Sequence, residues 1–442
     1  IRMNTRDMTT GSPVRLILVT AIPLMLGNVF QQMYTVVDAA VVGQGVGMAA
    51  LAALGSSDWF HWMWLGVVQG LAQGFAIPAA QTFGAKDYTA LRRSVGAAAS
   101  LGAALSVLLM LAAQLSIRPV LGFLRTPVEI RPVAEAYLRI LFAGLPVVMA
   151  YNTLAATLRA FGDSRTPLIA MVIASLVNIG LDVLFVMAFR WGVNGAAIAT
   201  LIAQCCACMC CLMQLRRLDF LRLHKSDFVP DRALIVRLLR LGVPVSVQNC
   251  IIAVGGMIVQ TVVNPMGVTF IAGYTATNKL YGLLELAAVS YGYAMSTYAG
   301  QNLGADQAQR IRQGVRAGLV TGVVTAGIIS ACMFLFGDRL IGLFIEAGAE
   351  AESAMAVALE FLRLMAAWLP VLYALHVVRS ALQGLGDTFV PMLSGIAEFF
   401  MRTGSALLLP GMIGMSGVFW AEVLAWLGAD CVLIPGYLRV RS

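Results

Sequence analysis

Apolar residues run through this chain in blocks too long for the alternation of a half-buried strand or the one-sided stripe of a soluble helix. Val95 to Ala113, Leu168 to Phe189, Leu319 to Phe336 and Gly417 to Ile434 carry few or no charges; each holds about 18 residues or more, enough helix to cross a bilayer core. Carried along the whole sequence, the pattern predicts about twelve spans, near 14–40, 48–82, 93–116, 133–158, 166–188, 193–215, 238–263, 269–300, 313–336, 354–383, 388–410 and 416–438. The polar stretch before Pro13 has no small-residue cleavage pattern, so the first span is expected to stay in the mature chain.

The pattern also repeats. Ala80-Gln81-Thr82-Phe83-Gly84-Ala85 returns as Gly300-Gln301-Asn302-Leu303-Gly304-Ala305, Gln81 to Gln301 being an offset of 220. Leu145-Pro146 returns as Leu369-Pro370, and Gly162-Asp163 with Pro167 as Gly386-Asp387 with Pro391, at 224; Pro23 and Asn28 return as Pro244 and Asn249 at 221. Near-constant offsets mean duplicated halves. Six spans per half leave both halves in one orientation, so the expected fold is an all-α integral membrane protein. Its two six-helix lobes, 1–217 and 238–442, are related by a pseudo-twofold axis and joined by a polar linker at 218–237. Parallel repeats of this kind belong to transporters that rock two lobes about a central cavity.

Composition narrows the class further. Only 12% of the 442 residues are charged and 60% are hydrophobic, which excludes a soluble enzyme. The net charge of +8 does not point to nucleic acid, because the basic residues sit in short loops. The N-terminus, the C-terminus and alternate loops hold most of them, including Arg2, Lys86, Arg159, Arg216, Arg237, Arg310 and Arg441. The opposite loops hold only Arg118, Arg125, Arg131, Arg190 and Arg339, so both termini are expected in the cytoplasm and the chain in the cytoplasmic (inner) membrane. Trp59, Trp62 and Trp64 then read as an aromatic anchor near the outer end of span two. Five cysteines between Cys205 and Cys211 ring one apolar helix without a histidine, which fits packing better than metal. His61, His224 and His376 are scattered, and no phosphate-binding loop is present, so ATP does not drive the chain directly.

Charges inside spans cost a few kcal/mol each and are functional candidates by default. Asn28, Gln31, Thr35 and Asp38 recur at three- or four-residue spacing and make one polar face of span one, with Asp38 its only charge. Asn178 and Asp182, four apart, share a face of span five. Two carboxylates among amide and hydroxyl oxygens suit Na⁺ or a shared proton; the same aspartates could instead merely bond neighbouring helices. Pro23, 15 residues before Asp38, permits a bend. The second half loses the pair, since Asn178 corresponds to Arg402 and Asp182 to Ala406. Glu398 and Arg402 are spaced to pair on one helix, and Glu285 is the best substrate contact in that half. Tyr34 and Tyr151 lie near the polar faces, and rings with flexible thioethers suit varied organic molecules.

These motifs together resemble the MATE family, the multidrug and toxic compound extrusion transporters. The resemblance is carried by Ile22-Pro23-Leu24-Met25-Leu26-Gly27-Asn28 through Asp38, by Gln81-Thr82-Phe83-Gly84-Ala85, by Arg159-Ala160-Phe161-Gly162-Asp163, by Asn178-Ile179-Gly180-Leu181-Asp182, and by their echoes in the second half. It implies an antiporter, not an enzyme, that exports organic cations or amphipathic compounds, or a natural product, while Na⁺ or H⁺ enters, with no further cofactor. It places a monovalent cation on Asp38, Asn178, Asp182 and Thr200 with Asn152 beside them, and a helix hinge at Pro23. Span seven offers Gln248, Asn249, Gln260 and Asn264 where NorM-like members carry a carboxylate, so the chain looks more DinF-like. The expected substrate cavity is walled by Gln31, Tyr34, Thr35, Tyr151, Glu285, Gln248 and Asn249. The expected partners are the lipid bilayer and a small organic substrate, with the chain a monomer. A lipid-linked sugar flippase of the same superfamily is the alternative; it would want a cationic cavity, for which Lys279, Arg379 and Arg402 speak. A membrane-embedded lipid enzyme would need a catalytic constellation at a membrane face, and none is found.

Overall fold

The computed structural model describes residues 5–441 apart from 124, 125, 127, 230 and 344–350, and all regular structure among them is helical. Arg2 and Arg125 of the charge bias, and the side chain of Trp59, lie outside the described residues. In the first half run α1 (Pro13–Gly45), α2 (Met48–Gly84), α3 (Tyr88–Phe123), α4 (Arg131–Ala143), α5 (Leu145–Ala160), α6 (Arg165–Asp182) and α7 (Gly192–Arg216). The second half holds α8 (Arg232–Val263), α9 (Val268–Gly304), α10 (Ala308–Ile341), α11 (Ala351–Gly384), α12 (Phe389–Ile413) and α13 (Trp420–Arg441).

These are the twelve expected spans, with α4 and α5 forming one that is bent by 46°. Pro146 removes a backbone donor and crowds the preceding turn, and Gly144 leaves space that Leu201 occupies; a Cβ there would overlap it. The counterpart α11 keeps its proline, Pro370, but has Trp368 at the glycine position and stays unbroken. Proline alone does not break this span; proline next to glycine does. Among the described residues, ten helices are long and apolar enough to cross a bilayer alone. The less apolar α9 still has 37 residues, about 55 Å of helix. Its polar side chains divide between the seam, where Ser290 accepts from Asn28 at 3.1 Å, and its own lobe, where Thr277 donates to Ala358 O and Tyr291 meets Thr325.

The expected linker is shorter than its polarity suggests. Asp231 accepts from Leu234 N at 2.7 Å and caps α8, so helix begins at Arg232 and takes in the linker's last residues. The Gly-Asp motifs are turn chemistry as well. Gly162 and Gly386 adopt φ of +75° and +89°, which suits glycine at a helix end. The following Asp163 and Asp387 cap α6 and α12 by accepting from Thr166 N and Val390 N at 3.0 and 3.1 Å.

The repeat is written into the inter-lobe hydrogen bonds. Gln81 Nε2 donates to Gly384 O at 3.1 Å, and its counterpart Gln301 Nε2 donates to Ala160 O at 2.8 Å. Between them α2 and α9 cross so closely that a Cβ on Gly84 would overlap Gln301 O, and one on Gly304 would overlap Gln81 O. Further along the seam, Ser246 and Asn249 of α8 donate to Val67 O and Gly66 O of α2 at 2.8 and 3.0 Å. All these bonds fall between the helix middles and the face that carries both chain ends, here the terminal face. The segment before α1 strengthens the same closure. Met8 is fully buried, its N–H bonds Gln301 Oε1 at 2.8 Å, and Arg6 N bonds Phe161 O of the other lobe at 2.8 Å.

One helix belongs to both lobes. Ile17 and Ala21 of α1 lie in the core of the second lobe, whereas Val41 and Val42 lie in that of the first. Pro23 sits next to this change of allegiance, inside an unbroken helix. At the level of the tryptophan cluster, Trp62 is exposed, while Trp64 turns inward with its ring centroid 6.4 Å from that of Phe142.

Candidate functional site

Asp38 comes from α1 and Asn178 and Asp182 from the last turns of α6, where the shared face predicted by their spacing turns inward. Both α6 residues are buried, at 1% and 0% exposure, and the helix continues past Asp182 as a π-helical turn over Val183–Ala188. Such wide turns recur at functional sites, and nothing in the sequence signalled this one. The Asp38 and Asp182 carboxyl groups lie within hydrogen-bonding reach of each other. Asn178 Nδ2 points at Thr200 Oγ1 of α7, 3.5 Å away, and Thr200 donates onward to Ala196 O at 3.0 Å.

The decisive feature is what these groups lack. Asp38 Oδ1, both carboxylate oxygens of Asp182 and Asn178 Oδ1 are buried without a hydrogen-bond donor. Buried acceptors normally have partners, and an unpaired buried carboxylate is costlier still. Unpaired hard oxygens of this kind fit a monovalent cation or a proton bridging the two aspartates. No cluster of three or more His, Cys, Asp or Glu that could hold a metal exists among the described residues. Asp58 of α2 lies outside this cluster, though near enough for its charge to act on Asp38; no motif in the sequence marked it.

A cavity of about 990 Å³, including its open mouth, adjoins this cluster, walled mainly by the first lobe with Tyr293 of α9 completing it. Its wall includes Gln31, Tyr34, Tyr151, Asn152 and Thr200 of the expected residues. Thr200 therefore touches both compartments, the cavity on one side and Asn178 on the other. The remaining expected wall residues lie elsewhere. Thr35 is exposed and donates to Gln31 O at 3.0 Å. Gln248 is buried and accepts from Gln383 of its own lobe at 3.3 Å, and Asn249 donates to Gly66 O across the inter-lobe seam. Glu285 has His376 Nε2 3.9 Å away, a pairing that no sequence spacing revealed.

The second lobe answers its extra charges internally. Arg402 stands where the first lobe has Asn178 and lies 2.9 Å from both Glu398 and Glu422; Arg379 meets Glu398 at 2.8 Å and also bonds Ser394. Helix spacing predicted the Glu398–Arg402 pair. It could not predict that α11 and α13 would extend it into a four-membered chain of alternating sign.

The MatE family model matches the chain twice, over residues 23–184 and 244–406. The chain belongs to the MATE family. That makes it a multi-pass membrane transporter and not an enzyme, and the two matched segments begin 221 residues apart, the same offset that separates Pro23 from Pro244. Among its relatives, the Bacillus subtilis protein named "Probable multidrug resistance protein YpnP" is 28% identical over 98% of this chain and 97% of that one. "Multidrug export protein MepA" of Staphylococcus saprophyticus is 22% identical over 92% and 89%. The Thermotoga maritima "Probable multidrug resistance protein NorM" is 25% identical over 84% and 80%, so the likeness is not confined to one branch of the family. A MATE crystal structure in complex with MaL6 superposes with a TM-score of 0.91 at 22% identity, covering 100% of this chain and 98% of that one. An outward-facing multidrug resistance MATE transporter superposes at 0.88 and 22%, covering 98% and 97%. Both have the same fold.

Proposed function

We propose that this MATE transporter is a multidrug efflux antiporter of the cytoplasmic membrane, with both termini in the cytoplasm, that exchanges amphipathic organic compounds for Na⁺ or H⁺. The observation that carries this is the donor-free oxygen cluster of Asp38, Asn178 and Asp182, placed behind Thr200 at the wall of the substrate cavity. With the terminal face cytoplasmic, the closed seam over Gln81 and Gln301 makes this an outward-facing state. A cation or proton arriving from outside binds between Asp38 and Asp182 and draws α1 toward α6. Because α1 is anchored in both lobes, with Pro23 beside the junction, that local shift is transmitted to the seam. Each state then needs a different affinity for the compound, as any ligand-driven shift requires. Polar residues of Gln31, Tyr34, Tyr151 and Asn152 hold the compound while apolar neighbours such as Met171 accept its body.

The test is transport into proteoliposomes with a Na⁺ or a H⁺ gradient imposed separately. One gradient is expected to drive uptake of a fluorescent organic cation against its concentration; failure of both gradients, with folded protein present, would falsify the antiport reading.

A further inference from the structure

Arg159 lies at the end of α5, at the base of the cavity, with its guanidinium 4.5 Å from the ring centroid of Tyr293 on α9. The pair is a wall common to two spaces. One is the substrate cavity, and the other is a smaller opening toward the terminal face bordered by Gln73, Ser296 and Thr297. Among the described residues, Arg159 is the only Asp, Glu, Lys or Arg side chain in either wall.

The repeat supplies an internal control. At the offsets of 224 and 220, Arg159 corresponds to Gln383 and Tyr293 to Gln73. Those counterparts meet as two neutral amides, Gln73 Nε2 donating to Gln383 Oε1 at 3.0 Å, and Gln383 donates onward to Gln248. A pair of amides thus suffices to hold this point of the seam, and a positive charge is not needed for closure. Nor is the charge neutralised locally. Arg379 and Arg402 are each bound to glutamates, whereas Arg159 has no carboxylate partner among the described residues and offers the cavity guanidinium donors that its stacking on Tyr293 leaves unspent.

We propose that Arg159, seated on Tyr293, is a subsite for a carboxylate on the transported compound. It follows that the cavity takes zwitterionic amphiphiles in preference to simple cations. The basic end lies toward Thr200 and the aspartates behind it, and the carboxylate lies against Arg159. Asn152 and Arg159 are seven residues apart on α5, which sets these ends about 10 Å from each other. The inference rests on reading this cavity as the substrate's.

Rhodamine 110 and rhodamine 123 test it, since the second is the methyl ester of the first and differs only in its lost carboxylate. Binding to the purified full chain, followed by fluorescence anisotropy without any gradient, is expected to favour rhodamine 110 by about tenfold. Arg159→Gln, which copies the side chain the fold already accepts at 383, is expected to abolish the preference and leave rhodamine 123 within about twofold; Arg159→Lys should restore part of it. Equal binding of both dyes by the unaltered chain overturns the proposal, as does an Arg159→Gln variant that keeps the preference or weakens both dyes alike. Because no gradient is used, a chain that binds selectively but transports neither dye refutes antiport and leaves the subsite standing.

Discussion

Gly84 on α2 and Gln301 on α9 meet with no room for a single added carbon, since a Cβ at 84 would overlap the carbonyl oxygen of 301. The same crossing seen from the other half sets Gly304 against Gln81. Overpacking a rigid contact costs about 1–3 kcal/mol, and here the strain falls only on the closed terminal face. Gly84→Ala and Gly304→Ala are therefore expected to bias the protein toward opening on that face. In a background freed of the eight native cysteines, Ala80→Cys at the wall of the small opening should be labelled several-fold faster by a thiol reagent when either alanine is present. Unchanged labelling would show that the crossing does not govern closure.

Glu398 accepts from two buried arginines, so removing its charge strands Arg379 and leaves Arg402 with Glu422 alone. Breaking such a buried set costs about 3–5 kcal/mol because the survivors are left uncompensated. Glu398→Gln should lower the melting temperature in detergent markedly. Glu422→Gln should lower it less, since Arg402 then keeps Glu398. Equal melting temperatures for Glu398→Gln and the unaltered chain would mean that the chain of charges contributes nothing to folding of the second lobe.

Asp38 and Asp182 face each other as one unit, so their effects should not add. Asp38→Asn is expected to bring gradient-driven efflux down to that of empty vesicles, and Asp38→Asn with Asp182→Asn to do no worse. Both variants should be at least as stable as the parent, because each removes a buried carboxylate without a donor. Efflux by Asp38→Asn at more than about a tenth of the parent rate would contradict the shared-ion scheme.

Pro23 lies within the body of α1, where proline costs about 3 kcal/mol relative to alanine. Pro23→Ala should therefore hold or raise thermal stability while slowing transport, because a helix anchored in both lobes must flex next to that point. A variant that transports at the parent rate would remove the hinge from the mechanism.

The spans and the duplication were legible because both are one-dimensional: apolar length and offset can be read without contacts. Asn178 and Asp182 were legible through helical spacing, whereas Thr200 and Asn152 came only through family resemblance. Residues whose meaning depends on a partner far away in the chain were misread or missed. Gln248 and Asn249 looked like cavity polar groups but are taken up by Gln383 and Gly66, over a hundred positions distant. Arg379 and Glu422 join Glu398 and Arg402 only because three helices converge. The bend in the fourth span turned on the difference between Gly144 and Trp368, which mattered only once Leu201 was seen filling the gap.

The reciprocal lock between Gln81, Gly84, Gln301 and Gly304 constrains how a duplicated gene of this kind can diverge. Elsewhere the halves have drifted far enough for an asparagine to face an arginine across the alignment, because each side answers to its own surroundings. At the lock each half is the surroundings of the other, so a bulkier residue in one copy penalises both at once. Ancestral symmetry should survive longest there, and hybrid chains built by swapping whole halves between relatives should assemble only when the two halves carry matching residues at this four-residue contact.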